Sequence, residues 1–288
     1  GTTYQFNIRE TDLAGNTSDA TSNFTITGDT TAPTASWSSA TDNVGTITGT
    51  LTSGDTTDDT ALALSGTNES GSSITVYNSN TELGSATVSG TGWSYSASVS
   101  DGTTYQFNIR ETDLAGNTSD ATSNFTVTGD MTDPTLSSVV LTSATGIQNS
   151  FLNQGDVLSV TATFSESVIV DNSSGNPQLT LVVGSTTRTA TYVSGSGSSP
   201  LVFEYTIQSG ETDTDGISIN ANALSLNSGT IRDAAGNSAT LTHSAVSSNS
   251  SYMVDTIAPT VNSFTIDDER LLVGEAATVD LIFSEMVR

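Results

Sequence analysis

Residues 102–130 repeat residues 1–29 almost letter for letter, 101 positions later: GTTYQFNIRETDLAGNTSDATSNFTITGD returns as GTTYQFNIRETDLAGNTSDATSNFTVTGD, and only Ile26 and Val127 differ. A repeat of about a hundred residues is the size of a small β-sandwich, so the period restricts this chain to a tandem array of such domains. Near-identity of the copies carries no information on which positions matter.

A second recurring element marks the joints. Asp29-Thr-Thr-Ala-Pro33, Asp130-Met-Thr-Asp-Pro134 and Asp255-Thr-Ile-Ala-Pro259 share the form Asp-x-x-x-Pro. Proline keeps the backbone extended and offers no N–H to a sheet, which suits a short strand-to-strand linker. The joints predict four parts: the last strands of a truncated repeat at 1–29, a complete repeat at 30–130, a complete repeat of a second subtype at 131–255, and the first strands of a truncated repeat at 256–288. The chain then reads as a fragment of a longer array. Its two end pieces hold too few strands to close a sandwich, and are expected to be poorly ordered or to pair with a neighbouring molecule.

Within the repeats the pattern is β. Thr104–Arg110 alternates, placing Tyr105, Phe107 and Ile109 on one face, and Asn124–Thr128 does the same with Phe125 and Val127. Val157–Phe164, Gln178–Val183 and Leu201–Ile207 are further strands. No segment carries a helical stripe; Asn220–Leu226 has room for one helical turn. The expected class is all-β, tandem immunoglobulin-like β-sandwiches in an elongated array.

Composition then excludes several functions. The 288 residues hold no Cys and a single His, His243, so neither a disulfide nor a Cys/His zinc site can be assembled. There are 31 Asp and Glu against six Arg and no Lys, a formal charge of −25, which repels the phosphate backbones of nucleic acids. No apolar run reaches 18 residues, so no membrane insertion is expected in this segment. The charge itself fits solubility, salt adaptation, disorder, or carboxylates that serve as oxygen ligands to Ca2+. Strand alternation argues against disorder.

The acids are clustered. In the repeat 30–130 they fall at Asp42, Asp55, Asp58, Asp59, Glu69, Asp101, Glu111 and Asp113. If Ala61–Gly66 is the second strand and 104–111 the sixth, Glu69 and Asp113 meet Asp29 at one end of the sandwich. Asp55, Asp58, Asp59 and Asp101 then meet Asp130 and Asp133 at the other. A carboxylate pair at ~4 Å costs about 1 to 4 kcal/mol, which a bound dication converts into coordination, so calcium ions are expected at or near the joints, Asp255 included. In the next repeat, Glu211-Thr-Asp213-Thr-Asp215-Gly216 resembles the opening of an EF-hand loop. Its twelfth position is Asn222 rather than Glu, so the expectation is a β-turn calcium loop completed from elsewhere, or a solvated loop. Asp12, Asp113 and Asp233 each lead an Asp-x-Ala-Gly-Asn turn, and either cap that turn or face the linker as ligands.

These residues carry a family likeness. Asp-Asn-Val-Gly45, Thr57-Asp-Asp59, Leu64-Ser-Gly-Thr67, Asp-Leu-Ala-Gly-Asn117 and the Asp-x-x-x-Pro joints resemble bacterial Ig-like repeats in the extenders of large, RTX-type adhesins exported by type I secretion. Phe164-Ser-Glu-Ser-Val168, Ala190-Thr-Tyr192 and Arg232-Asp-Ala-Ala-Gly-Asn237 resemble another subtype, and Phe283-Ser-Glu285 the start of a further one. The resemblance implies an extracellular, bacterial cell-surface protein whose calcium-loaded linkers stiffen an array of neighbouring repeats and support cell adhesion or biofilm formation. Met131-Thr-Asp133 departs from the other joints, where Asp133 adds a ligand or shifts the ion.

The alternative is a glycan- or surface-binding module, which needs an exposed aromatic platform from Trp37 or Trp93. An enzyme is not expected. A Ser-His-Asp triad could use only His243, which reads as an exposed strand residue, and no G-x-S-x-G elbow lies near it.

Overall fold

The computed structural model describes residues 1–287, and all the regular elements among them are β-strands. The all-β expectation holds. The chain divides into two compact units: Gly1–Asp133 with Arg232–Ser238, and Pro134–Ile231 with the residues from Ala239 on.

In the first unit, residues 36–129 build two five-stranded sheets. One runs Gly49–Thr50, Ser36–Asp42, Ala61–Thr67, Gly92–Ser98, Thr87–Ser89; the other runs Thr56–Thr57, Phe125–Gly129, Thr104–Thr112, Ser73–Asn78, Thr81–Ser85. Leu62, Leu64, Trp93 and Ala97 from the first sheet share one buried cluster with Ile74, Val76, Phe107, Ile109 and Val127 from the second. Burial of each large apolar side chain stabilises by about 1.5 to 3 kcal/mol. The alternation read in Thr104–Arg110 continues past it, because Glu111 follows Phe107 and Ile109 on the inward face and is fully buried.

Both tryptophans belong to this interior. Trp93 donates from Nε1 to the Ser36 carbonyl at 3.0 Å, and Trp37 stacks on Phe125 with ring centroids 5.4 Å apart. Gly66 is required beneath them, since a Cβ there would overlap the Ser36 carbonyl and the Trp93 ring. The aromatic platform expected of a glycan-binding face is therefore not formed by Trp37 and Trp93; each is worth more as packing.

Residues 1–29 form a hairpin, Thr3–Phe6 with Phe24–Thr27, in the register that Thr104–Thr112 uses with Phe125–Gly129. Tyr4, Phe6, Phe24 and Ile26 are exposed, although Phe107 and Val127, their counterparts of Phe6 and Ile26, are fully buried. Burial is thus conferred by the facing sheet of residues 30–101, not by the hairpin.

In the second unit one sheet runs Leu136–Ala144, Val157–Asp171, Ser198–Thr206, Thr186–Ser194, Gln178–Val183, Leu224–Ser225; a smaller sheet joins Phe151–Leu152, Met253–Asp255 and Thr212–Asp213. Leu158, Val160, Leu181 and Phe203 pack in one cluster with Leu152, Ile217, Ile219 and Val254. Asn220–Leu226 makes no helical turn: Asn222 takes a positive φ of 56°, and Leu224–Ser225 pairs with Gln178–Leu179 as a strand. Val261–Ile266 and Val279–Phe283 form a two-stranded sheet.

Candidate metal centre

One end of the first unit gathers Asp42, Asp58, Asp59, Asp101, Asp130 and Asp233. Asp42 ends the strand Ser36–Asp42 and is buried; its oxygens accept from Thr57 Oγ1 at 2.6 Å and Val44 N at 3.0 Å. Asp59 is also buried and accepts from Ala61 N at 2.8 Å and Asn43 N at 3.3 Å. Asp58, between them, differs. Its Oδ1 is buried with no hydrogen-bond donor. Burial, and then repulsion from Asp42, Asp59 and Asp233, hold its carboxyl above the usual range. Asp130 is raised for the same reasons, with Asp233 and Asp101 as the repelling neighbours. One oxygen of Asp130 lies within 4.8 Å of one of Asp233.

Two features make these residues fit a hard divalent cation. The first is the unpartnered Asp58 oxygen among like charges, since a buried carboxylate without a donor or cation is costly. The second is the Asp42-Asn-Val-Gly45 turn, in which Gly45 has φ +72° and a Cβ would overlap Asp58 Oδ2. Gly45→Ala should cost about 2 kcal/mol or more, from left-handed strain plus the overlap, in a urea titration.

The raised carboxyls fix a sign for pH dependence. Groups whose folded values lie above the ordinary 3.8 destabilise the charged native state, so their penalty shrinks as pH falls through the raised values. In a chelator, the melting temperature of the first unit is expected to rise as pH falls from neutral through those raised values. Asp58→Asn should reduce that rise.

The linkers are held by a common device. Asp29, Asp130 and Asp255 each accept the N–H two residues on, from Thr31, Thr132 and Ile257. Asp113 Oδ1 accepts from Ala115 and Asn117 N–H, both at 2.8 Å, and Asp233 Oδ1 from Gly236 and Asn237 N–H at 2.7 and 2.9 Å. The leading Asp of the Ala-Gly-Asn turn is thus its cap. The Asn reaches the linker: Asn117 Nδ2 donates to the Asp29 carbonyl, and Asn237 Nδ2 to the Asp130 carbonyl at 2.8 Å. Asp101 clasps the same linker through Met131 N–H and Thr132 Oγ1, both at 2.7 Å, and those bonds lower its carboxyl. Asp133 is exposed.

At the opposite end of the repeat, Asn117 links the Asp113 carboxylate to the Asp29 main-chain carbonyl, while Glu69 is exposed and contributes its main-chain N–H. The acid buried there is Glu111. Its Oε1 accepts from Glu69 N and Ser72 Oγ, both at 2.5 Å, while Oε2 is buried without a donor.

In the Glu211–Gly216 segment protein donors engage all three acids. Buried Glu211 accepts from Arg188 Nε, from Tyr205 OH at 2.5 Å and from Gln208 N at 2.8 Å. Burial raises its carboxyl, but bonds from Arg188, Tyr205 and Gln208 prevail and hold it below the usual range. Asp213, also buried, takes Gly216 and Gly184 N–H at 2.8 and 2.7 Å, and Asp215 takes Ser248 Oγ at 2.9 Å. Asp255 instead approaches Glu285, whose carboxyl is raised by burial and then by Asp255. His243 is half-buried outside any strand, against expectation; Nε2 accepts from Ala223 N–H at 2.8 Å and Nδ1 contacts the Ser244 carbonyl. Both ring nitrogens are thus engaged with the backbone.

Residues 34–131 match the family model of the bacterial Ig-like domain, and with the two facing sheets of that segment this identifies an Ig-like repeat there. Clostridium thermocellum CbhA fibronectin(III)-like modules are a similar solved structure, at 15% identity and a TM-score of 0.28, covering 71% of this chain and 90% of that one. No curated protein matches the chain. Among the described residues no helix is long and apolar enough to cross a membrane.

Proposed function

We propose that this chain is part of the extender of a bacterial cell-surface adhesin: tandem Ig-like repeats outside the cell that bind Ca2+ at their acidic ends and support adhesion or biofilm formation after type I secretion. The observation that carries the reading is the donorless oxygen of Asp58, cradled by Gly45 and repelled by Asp42, Asp59 and Asp233. Asp58 and Asp233, which repel each other, are the residues that would face the ion, with Asp130 beside Asp233. Bound Ca2+ would supply positive charge to the Asp58 oxygen that has no donor, and would tie the linker after Gly129 to the end of the repeat. The match of residues 34–131 to a bacterial Ig-like domain supports the setting, since such repeats commonly occur on secreted surface proteins.

Calorimetric titration tests it. The wild-type chain should bind Ca2+ with heat, and Asp58→Asn should weaken that binding at least about tenfold, the equivalent of ~1.4 kcal/mol. Because the substitution also removes repulsion, its melt in a chelator should be unchanged or higher. Calcium binding that ignores both Asp58→Asn and Asp130→Asn would place the ion elsewhere and remove this reading.

A further inference from the structure

A second feature of the 30–130 repeat is unrelated to the acids. A cavity of about 500 Å3 opens beside the strand Thr104–Thr112, and its walls include Tyr77, Asn80, Gln106, Asn108, Arg110 and Asn124. No carboxylate lines it, in a chain with 31 of them.

The carboxamides are held in fixed orientations. Asn124 Nδ2 donates to Gln106 Oε1 and Asn108 Nδ2 to Asn124 Oδ1, both at 3.0 Å. Asn108 is buried, and its Nδ2 also donates to the Ser79 carbonyl at 2.9 Å. Ser79 pays for its place with φ +54°, a region that costs a non-glycine residue of order 1 kcal/mol and concentrates at ligand sites. Its Oγ donates to Gln106 Oε1 at 3.1 Å. Arg110 closes the row. It makes no ion pair among the described residues and donates from NH1 to the Ser119 carbonyl at 3.3 Å.

The ladder fills the Gln106 oxygen with two donors and leaves Gln106 Nε2 and a second Asn124 Nδ2 hydrogen to donate to sugar hydroxyl oxygens, and a tyrosine ring presents a flat face to a pyranose. A guanidinium with no carboxylate of its own supplies a fork for one. We propose that this cavity is a binding subsite for an acidic sugar of the hexuronate class, with hydroxyls on Asn80, Gln106 and Asn124 and the carboxylate on Arg110. The hairpin 1–29 repeats part of the ladder, Asn7 Nδ2 to Asn23 Oδ1 and Asn23 Nδ2 to Gln5 Oε1, both at 2.9 Å. The Tyr77–Asn80 wall has no counterpart in residues 1–29, so one site per chain is expected in the first unit. The assignment is independent of calcium and of the extender reading.

The test is an NMR titration of the full chain with digalacturonate, and with cellobiose as the neutral arm, both in a chelator. Expected are saturable shifts of the side-chain NH2 signals of Asn80, Gln106, Asn108 and Asn124 at one equivalent. Arg110→Gln should weaken digalacturonate about tenfold, the loss of a charge-assisted pair, without moving the melting temperature. Cellobiose should bind about tenfold more weakly than digalacturonate. Absence of amide shifts at tens of millimolar sugar, equal binding of the two sugars, or indifference to Arg110→Gln would each overturn the assignment.

Discussion

Millimolar Ca2+ is expected to raise the melting temperature of the first unit by on the order of 10 °C, and a chelator to reverse the gain. The size follows from mass action: a ligand at a hundred times its dissociation constant stabilises by about 2.7 kcal/mol, and each kcal/mol shifts a domain of this size by ~4 to 8 °C. The sign follows from the cluster, where Asp58 and Asp130 are driven above their usual protonation range by burial and by each other's neighbours. Calcium requires the charged carboxylates, so its effect should fade as pH falls through their raised values, while the chelated protein becomes more stable over the same interval. The two curves should converge. Parallel curves, or a melt indifferent to Ca2+ at neutral pH, would show that the aspartates bear their repulsion uncompensated. Limited proteolysis at 130–134 gives a second readout, with cleavage slowed by Ca2+.

Glu211→Ala should lower the melting temperature of the second unit by on the order of 15 °C, and leave the first unit and its calcium response where they were. The carboxylate is buried and receives Arg188, Tyr205 and Gln208 together. Removing it strands the Tyr205 hydroxyl, itself buried, and leaves Arg188 unpaired, a loss of about 3 kcal/mol. Arg188 is a third exposed, so Arg188→Ala should cost only about 1 kcal/mol, because water takes up much of its charge. Glu211 is lowered in the fold, so its stabilisation is present above the ordinary carboxylate value of 4.5 and is lost as pH falls through the lowered one. The second unit should therefore lose stability on acidification where the chelated first unit gains it. Differential scanning calorimetry resolves the two transitions, and a single merged transition moving as a whole would contradict the division.

The contrast between these two groups of acids explains what was legible in the sequence. Period, joints and strand alternation follow from local spacing, and Gln178–Val183 was readable to the residue because every second side chain faces the core. Asp58, Asp59, Asp101 and Asp130 could be placed together because strand count alone sends their loops to one end. Glu211 could not be read this way. Its role depends on Arg188 and Tyr205, contributed by other strands, and the spacing of acids in Glu211–Asp215 says nothing about which donors will face them. Glu111 does carry a signal in the sequence: it continues the inward alternation of Phe107 and Ile109, and a carboxylate on a core face must find donors or a cation. His243 offered no such cue, since its acceptor role is set by the turn at Asn222.

The grip of Asn117 and Asn237 on the linkers has a consequence for how such chains change over generations. Each amide takes hold of a main-chain carbonyl, at Asp29 and Asp130, and so reads no side chain of the three residues that follow. Thr30-Thr-Ala32 and Met131-Thr-Asp133 are served equally. The hold on the chain therefore survives a change of side chains in the joint. Recombination between near-identical stretches such as 1–29 and 102–130 would carry the same Asn and the same main-chain hold with each exchanged segment.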